Sequence, residues 1–316
     1  MLNEQEVKTN NRSDNTGLLP MDVDILPPTD DRIFKTILTS PEAKPLLIKL
    51  SSGIIGRKII DVTVHPNELP VSDTQEKAER FDVNCKTNDG TQINLEMQAS
   101  HIVEDLGGSH KNLISKGIYY MCDLHSSQPA KGQPRYDKLA QTYQIMFCSY
   151  TIFPNRNNYV NSFSMRHDED NELLHDAIRS VYVELSKLEK ILLKPVEVMT
   201  DLEKFSVFLE YAANPKYRDT VNKVIESEEV LTVASNLLMS ISQDEVERAR
   251  FRSRRKFQTD LASDLATTRD VARREERFEI IRNMIIDGEP SEKIVRYTKA
   301  SREDVEAIRD ELSILS

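Results

Sequence analysis

The sequence contains no apolar run of the length a bilayer-spanning helix needs, about 18 residues or more, so a membrane-spanning helix is excluded. Its opening stretch, MLNEQEVKTNNRSDNTG, is polar and lacks the apolar segment of a secretory leader, so the expected setting is the cytoplasm. Cysteine is scarce. Cys85, Cys122 and Cys148 make an odd count of three with no C-x-x-C among them, which argues against a disulfide framework or a zinc site. Cys122 and His125 stand three apart on an expected helix, but no second pair joins them. There is no H-E-x-x-H, no G-x-x-x-x-G-K-[ST] and no G-x-G-x-x-G, so zinc-protease chemistry and nucleotide binding through those loops have no support. Positive charge is also in deficit, with 42 Lys and Arg against 52 Asp and Glu and a net charge of −10. That weighs against bulk electrostatic binding of nucleic acid. It does not exclude an enzyme that holds metal ions beside phosphates, because metal-binding carboxylates add negative charge where DNA must approach.

What is present can build a sizeable core. Of 316 residues, 39% are apolar and 30% charged, and at roughly 100–200 residues per domain the chain holds one large domain or two ordinary ones. Residues 1–20 read as a disordered tail rich in Asn, Asp, Ser and Thr. Asp30 or Thr29 caps a short amphipathic helix, and a second helix covers 43–52 with Leu46, Leu47 and Leu50 inward. Segments 57–65, 79–87 and 91–99 read as strands, 109–125 as a helix, and the nearly all-apolar run 142–152 as a buried central strand. Further strands are expected at 159–166 and 178–186. The order helix, three strands, helix, strand predicts an α/β domain with a mixed sheet over 21–190. Over 191–316 helical periodicity dominates, which predicts an all-helical C-terminal accessory region. Its expected helices are 201–213, 218–242, 244–283 and two short ones capped by Ser291 and Ser301. The 244–283 segment carries eleven basic and nine acidic residues. The terminal pair has the length of a helix-turn-helix, but Glu303, Asp304, Glu306, Asp310 and Glu311 make its last helix acidic, so packing is the expected role.

One hairpin carries chemistry. Phe81, Val83, Cys85, Ile93, Leu95 and Met97 form an apolar face at odd positions, while Arg80, Asp82, Asn84, Lys86, Gln92, Asn94, Glu96 and Gln98 form a polar face at even ones. Opposed residues of an antiparallel pair share a face, so even must oppose even. A two-residue loop at 89–90 would mix the faces, whereas a three-residue loop at 88–90 pairs 87 with 91 and therefore 82 with 96. Asn88 and Asp89 suit a type I turn, and Gly90 suits the left-handed residue that follows it. Asp82 is then expected across from Glu96, with Cβ atoms about 5 Å apart. Two carboxylates so placed repel, and a divalent cation between them removes the repulsion. On this reading, removing either acid leaves the metal-free stability unchanged or slightly raised. The same alternation also describes the wet face of an ordinary hairpin with both acids solvated.

The hairpin resembles the metal-binding core of the PD-(D/E)xK nucleases, an Asp on one strand followed by E-x-K on the next. With Gln98 in place of the lysine it resembles one branch, the recombination-promoting nucleases or PD-(D/E)xK family transposases. Asp31-Arg32-Ile33-Phe34-Lys35 is similar to that family's opening D-x-x-F-K, and His65-Pro66-Asn67 stands where the family often has a strand followed by Asn-Pro. Lys77 to Asp82 and Asn94-Leu95-Glu96-Met97-Gln98 resemble its K-x-x-x-x-D and N-I-E-M-Q, and Tyr119-Tyr120 and Tyr136 to Phe147 fit as well. The likeness covers roughly residues 21–190. The chain departs from it in having Lys116 or Lys111 where the family has Arg, which keeps the charge but loses the bidentate fork for phosphate. Its loop from Ser126 to Arg135 is also longer.

The resemblance implies a restriction-endonuclease-like core and Mg²⁺-dependent (or Mn²⁺-dependent) hydrolysis of phosphodiester bonds in double-stranded DNA, in recombination or transposition. It implies Asp82 and Glu96 as metal ligands, with the Met97 carbonyl as a further donor. Gln98 would position water, since an amide cannot take a proton, and Lys116 would stabilise phosphate charge. Lys116 and Lys35 also read as plain surface lysines, and Asp31 as a helix cap. Candidate DNA contacts are Lys35 and the run Arg248 to Lys256, which brings Arg250, Arg252, Arg254, Arg255 and Lys256 together without an acid. The run reads alternatively as a solvated helix face paired with nearby acids. Tyr119 and Tyr120 are expected to pack against the sheet. Two other functions compete. One is a catalytically silent nuclease-fold module that binds DNA or protein, as in phage defence. The other is an interaction protein that forms a homo-oligomer through its C-terminal helices.

Overall fold

The computed structural model describes residues 17–65, 83–99, 111–128 and 135–315. Among them are the strands β1 (Val62–Val64), β2 (Val83–Thr87), β3 (Gln92–Gln98), β4 (Thr142–Cys148), β5 (Val160–Ser164) and β6 (Ile178–Glu184), which form one sheet in the order β1-β2-β3-β4-β6-β5. The pairs β1–β2, β2–β3 and β5–β6 are antiparallel, and β4 runs parallel to both β3 and β6. This is the expected mixed α/β sheet. The hairpin has the register that the face pattern requires, with Val83 opposite Leu95 and Asn84 opposite Asn94. Thr87 N–H donates to the Thr91 carbonyl at 2.9 Å, Gly90 N–H donates to the Thr87 carbonyl at 3.0 Å, and Gly90 adopts φ +92°. A side chain at position 90 would be strained there.

Both faces of the sheet are covered, as strands with parallel neighbours require. Helix α1 (Asp31–Thr39) starts where Asp30 accepts from the N–H groups of Arg32 and Ile33. Together with α2 (Lys44–Ile55) and α4 (Asp201–Tyr211) it builds the core on the apolar face of β2 and β3. There Phe147 lies 5.6 Å from Phe34 and 5.8 Å from Phe205, centroid to centroid. Helix α3 (Lys111–Ser126) covers the other face, where Leu113 packs with Met146 and Tyr182. The polar face of β3 is therefore not wet. Asn94 and Glu96 are as deeply buried as Ile93 and Leu95.

Tertiary contacts redraw several expected boundaries. The run expected to be strand through 152 stops at Cys148, because the buried Glu184 carboxylate accepts from Ile152 N–H and Phe153 N–H and turns the chain away. The helix expected over 218–242 is two helices, α5 (Arg218–Glu226) and α6 (Glu229–Gln243). Glu228 leaves helical geometry between them and directs its carboxylate to Lys49 and Lys204. Within the expected tail, residues 1–16 lie outside the described residues, but Leu19 is buried and its backbone pairs both ways with the Asn222 side chain.

The described residues up to Ala249 form one compact unit and those from Arg250 onward a second. Residues 191–249, read from the sequence as the start of a separate helical region, are grouped with the sheet. In the second unit, the end of α7 (Glu245–Ile286) packs with α8 (Ser291–Thr298) and α9 (Arg302–Leu315) around Ile281, Ile294, Val305 and Ile308. Ser301 caps α9 by accepting from Asp304 N–H. Ser291 is not the cap of α8; Pro290 holds that place, and the Ser291 hydroxyl accepts from Arg309.

Burial pushes the Glu228 carboxyl up, but hydrogen bonds from Lys204 and Lys49 outweigh it and hold the group below its ordinary value of 4.5. A depressed carboxylate stabilises the fold above its unfolded value and loses that contribution as pH falls through the folded one. Glu228→Gln should therefore lower stability by about 2 kcal/mol near neutral pH. In thermal melts its gap from the unmodified chain should close as pH falls below 4.5. A gap that stays constant with pH would assign the loss to packing instead.

Candidate active site

Strand β3 puts Asn94, Glu96 and Gln98 on one face, beneath α3. Glu96 is only 2% exposed. Its Oε1 accepts from Asn94 Nδ2 at 3.1 Å, and its Oε2 accepts from Lys116 Nζ at 3.1 Å and from Gln98 Nε2 at 3.3 Å. Lys116 comes from α3 and lies 5.3 Å from the centroid of the Tyr120 ring. Its side chain is 42% exposed, so the ammonium sits where the site opens to solvent. The structure thus brings together three of the four expected catalytic residues, Glu96, Gln98 and Lys116. The fourth, Asp82, lies outside the described residues.

The expectation that loss of an acid relieves strain does not hold for Glu96. Its removal would take from the buried Asn94 amide one of its two acceptors and from Lys116 its carboxylate partner, which costs about 1 kcal/mol. Tyr119 does not pack against the sheet as expected; the residue is 59% exposed. Lys35 is on α1, which covers the opposite face of the sheet, so it does not join Glu96. In the basic run, Arg248 is tied to the Asp24 carboxylate and to backbone carbonyls. Arg250, Arg252, Arg255 and Lys256 are exposed and Arg254 is half-buried. At 3.6 residues per turn, Arg250 and Arg254 share one side of α7 while Arg252 and Lys256 fall on roughly the other. The run therefore encircles the helix and does not stripe it.

Three residues that sequence reasoning passed over shape the site. Asn94 was visible as a polar residue of the even face and as the first residue of the 94–98 motif, but neither pattern gave it a role of its own. Gln144 was hidden in the apolar run of β4, yet its Oε1 accepts from Asn94 Nδ2 at 2.9 Å. Gly117 lets α3 approach the sheet. A Cβ there would meet Met146 Sδ at 2.8 Å and Tyr182 Oη at 3.4 Å. Elsewhere, His125 is held by the Thr142 hydroxyl at 2.9 Å, and burial and the neighbouring His175 push its pKa down. The three cysteines are unpaired, and burial pushes the Cys85 thiol up to about 12.

Among the described residues, no three His, Cys, Asp or Glu side chains come together as a metal cluster. A divalent cation still fits the chemistry present. Glu96 is a hard oxygen donor whose Oε2 already faces a positive charge, and oxygen donors of this kind suit Mg²⁺ and Mn²⁺. The described residues supply that one carboxylate.

An Ala within a helix is normally more stable than Gly by about 0.8–1 kcal/mol. Gly117→Ala should reverse that sign, since the buried Met146 and Tyr182 must give way to the new Cβ. The expected outcome is a lowered melting temperature and weaker contact between Lys116 and Glu96. A raised melting temperature would show that α3 has room to move outward.

Comparison with curated proteins and with solved structures gives no match. The family model described as PD-(D/E)XK nuclease family transposase matches residues 28–268, which take in every strand of the sheet and the face that holds Glu96, Gln98 and Lys116. Its function is accordingly nuclease-like, and the chain belongs to the PD-(D/E)XK nuclease family transposases.

Proposed function

We propose that the chain is a metal-dependent DNA endonuclease that acts in recombination or transposition. The observation that carries this reading is the Glu96 carboxylate, buried on a central strand with one oxygen tied into the sheet and the other turned toward Lys116. PD-(D/E)XK nucleases generally use divalent metals. Glu96, with Asp82 as the partner that the face pattern assigns to it, would hold Mg²⁺ or Mn²⁺ here. When bound, such an ion supplies Lewis acidity toward phosphate and lowers the pKa of water.

The rest of the chemistry falls to the chain's own side chains. The Lys116 ammonium stands at the solvent edge of the site, where it meets a phosphate oxygen and offsets charge that develops on it. It thereby supplies from α3 the positive charge that Gln98 does not supply from β3. The Gln98 amide donates to Glu96 through Nε2, which leaves its carbonyl oxygen to accept from a water and orient it. An amide has no basic lone pair for a proton at neutral pH, so Gln98 is an orienting group and not a base. Arg250, Arg252, Arg254, Arg255 and Lys256 would grip the DNA backbone from α7, and because they encircle the helix they favour contact with phosphates over reading of bases.

Glu96→Gln and Asp82→Asn should each abolish Mg²⁺-dependent cleavage of plasmid while circular dichroism shows a folded chain. Lys116→Ala should slow cleavage by about 10²–10³-fold, and Gln98→Lys should keep at least part of it. Unmodified cleavage by Glu96→Gln would remove that residue from the site, and cleavage that survives EDTA would overturn the metal dependence.

Neutralising Arg252, Arg255 and Lys256 together should weaken DNA binding and flatten its salt dependence. Each lost phosphate contact should reduce the slope of log affinity against log salt by about 0.9. Gel shifts at two salt concentrations measure this, and an unchanged slope would assign the run to the solvated face of α7.

A further inference from the structure

Strand β3 carries a buried polar residue that the proposed chemistry does not use. Asn94 is fully buried, and it is the register partner of Asn84 on one side and Gln144 on the other. Gln144 is in turn the partner of Ser180. These four residues form a polar row across β2, β3, β4 and β6, and all four are buried. Central strands with parallel neighbours are ordinarily filled by Val, Ile and Leu at such positions. The row is also poorly satisfied: Asn84 Oδ1, Asn94 Oδ1, Gln144 Nε2 and Ser180 Oγ have no protein partner among the described residues. A row selected for stability alone would not leave so many buried polar atoms unmatched.

Its one well-defined product is the placement of Glu96. Asn94 Nδ2 donates to Glu96 Oε1 at 3.1 Å and to Gln144 Oε1 at 2.9 Å. Two oxygens bracket one nitrogen, which settles the orientation of the amide, because a flip would set Oδ1 against both. With Oε1 held toward the sheet, Oε2 is the oxygen left to face Lys116 and Gln98.

We propose that Asn94, anchored by Gln144, is a positioning residue that holds the Glu96 carboxylate in the orientation needed to bind a divalent cation. The proposal rests on the metal-dependent reading above and deepens it. Groups that orient a metal ligand from behind typically change metal affinity by about 10–100-fold when removed. A residue that merely fills the core changes stability without that effect.

The test uses the full chain and Mn²⁺ alone, followed by calorimetry and by electron paramagnetic resonance of the free ion. Asn94→Leu keeps the approximate shape but cannot donate, and it should weaken Mn²⁺ binding by about 10–100-fold. Ser180→Ala removes a member of the same row that does not contact Glu96, and it should leave the affinity within about twofold. A wild-type chain that binds Mn²⁺ no tighter than Asn94→Leu does would overturn the positioning role alone. A wild-type chain that binds no Mn²⁺ would overturn the metal-dependent reading and this proposal together. A measurement on the unmodified chain covers the case in which Asn94→Leu does not fold. The side-chain amide resonance of Asn94 should shift on titration with Mg²⁺ while that of Asn84 stays in place. An Asn94 resonance that does not move under saturating Mg²⁺ would sink the proposal.

Discussion

A carboxylate taken out of water has to be met by donors or by positive charge. Glu96 is met by both, from three directions, and much of the molecule is arranged so that this can happen. The sheet supplies the Asn94 amide from below and Gln98 from along the same strand. The ammonium of Lys116 has to come from a helix lying close on top, and α3 lies close because residue 117 has no Cβ. The depth of one helix and the charge balance of one carboxylate are thus the same constraint seen from two elements.

The two faces of the sheet divide the labour. The face toward α1 and α4 is mostly apolar, with Phe34, Phe147 and Phe205 in contact. It carries the hydrophobic burial that stabilises the fold. The face toward α3 exchanges some of that burial for a polar row and a charged pair. A central strand can tolerate this because its other face is fully committed to the core. The cluster around Lys49, Lys204 and Glu228 plays a different part. It pins the turn between α5 and α6 to α2 and α4, and it makes that junction sensitive to acid.

What could be read from the residues was local. The period-two alternation of 80–98 and the chemistry of Asn88-Asp89-Gly90 together dictate the register, and each involves only neighbours along the chain. Glu96 and Gln98 followed from that pattern, and their likeness to a nuclease motif drew Lys116 into the same site. Decisions made at a distance were not legible. The break at Glu228 depends on Lys49, 179 residues away, and on Lys204, 24 residues away. The end of β4 depends on Glu184, whose carboxylate captures two amides that would otherwise extend the strand. The burial of the polar face could not be seen either, because alternation shows which residues share a face and not whether a helix will cover it. For that reason Gln144 passed as an exception in an apolar run, when it is the anchor of Asn94.

Helix α7 is 42 residues long, about 63 Å at 1.5 Å per residue, and Ile281 is its one buried side chain among the described residues. Over most of that length the helix is held by its own backbone ladder, and most of its side chains are exposed. Such a ladder opens a turn at a time, independently of any core. Amide hydrogen exchange along the middle of α7 therefore reports local helix–coil opening, whereas the amides of β3 and β4 can exchange only when the sheet itself comes apart.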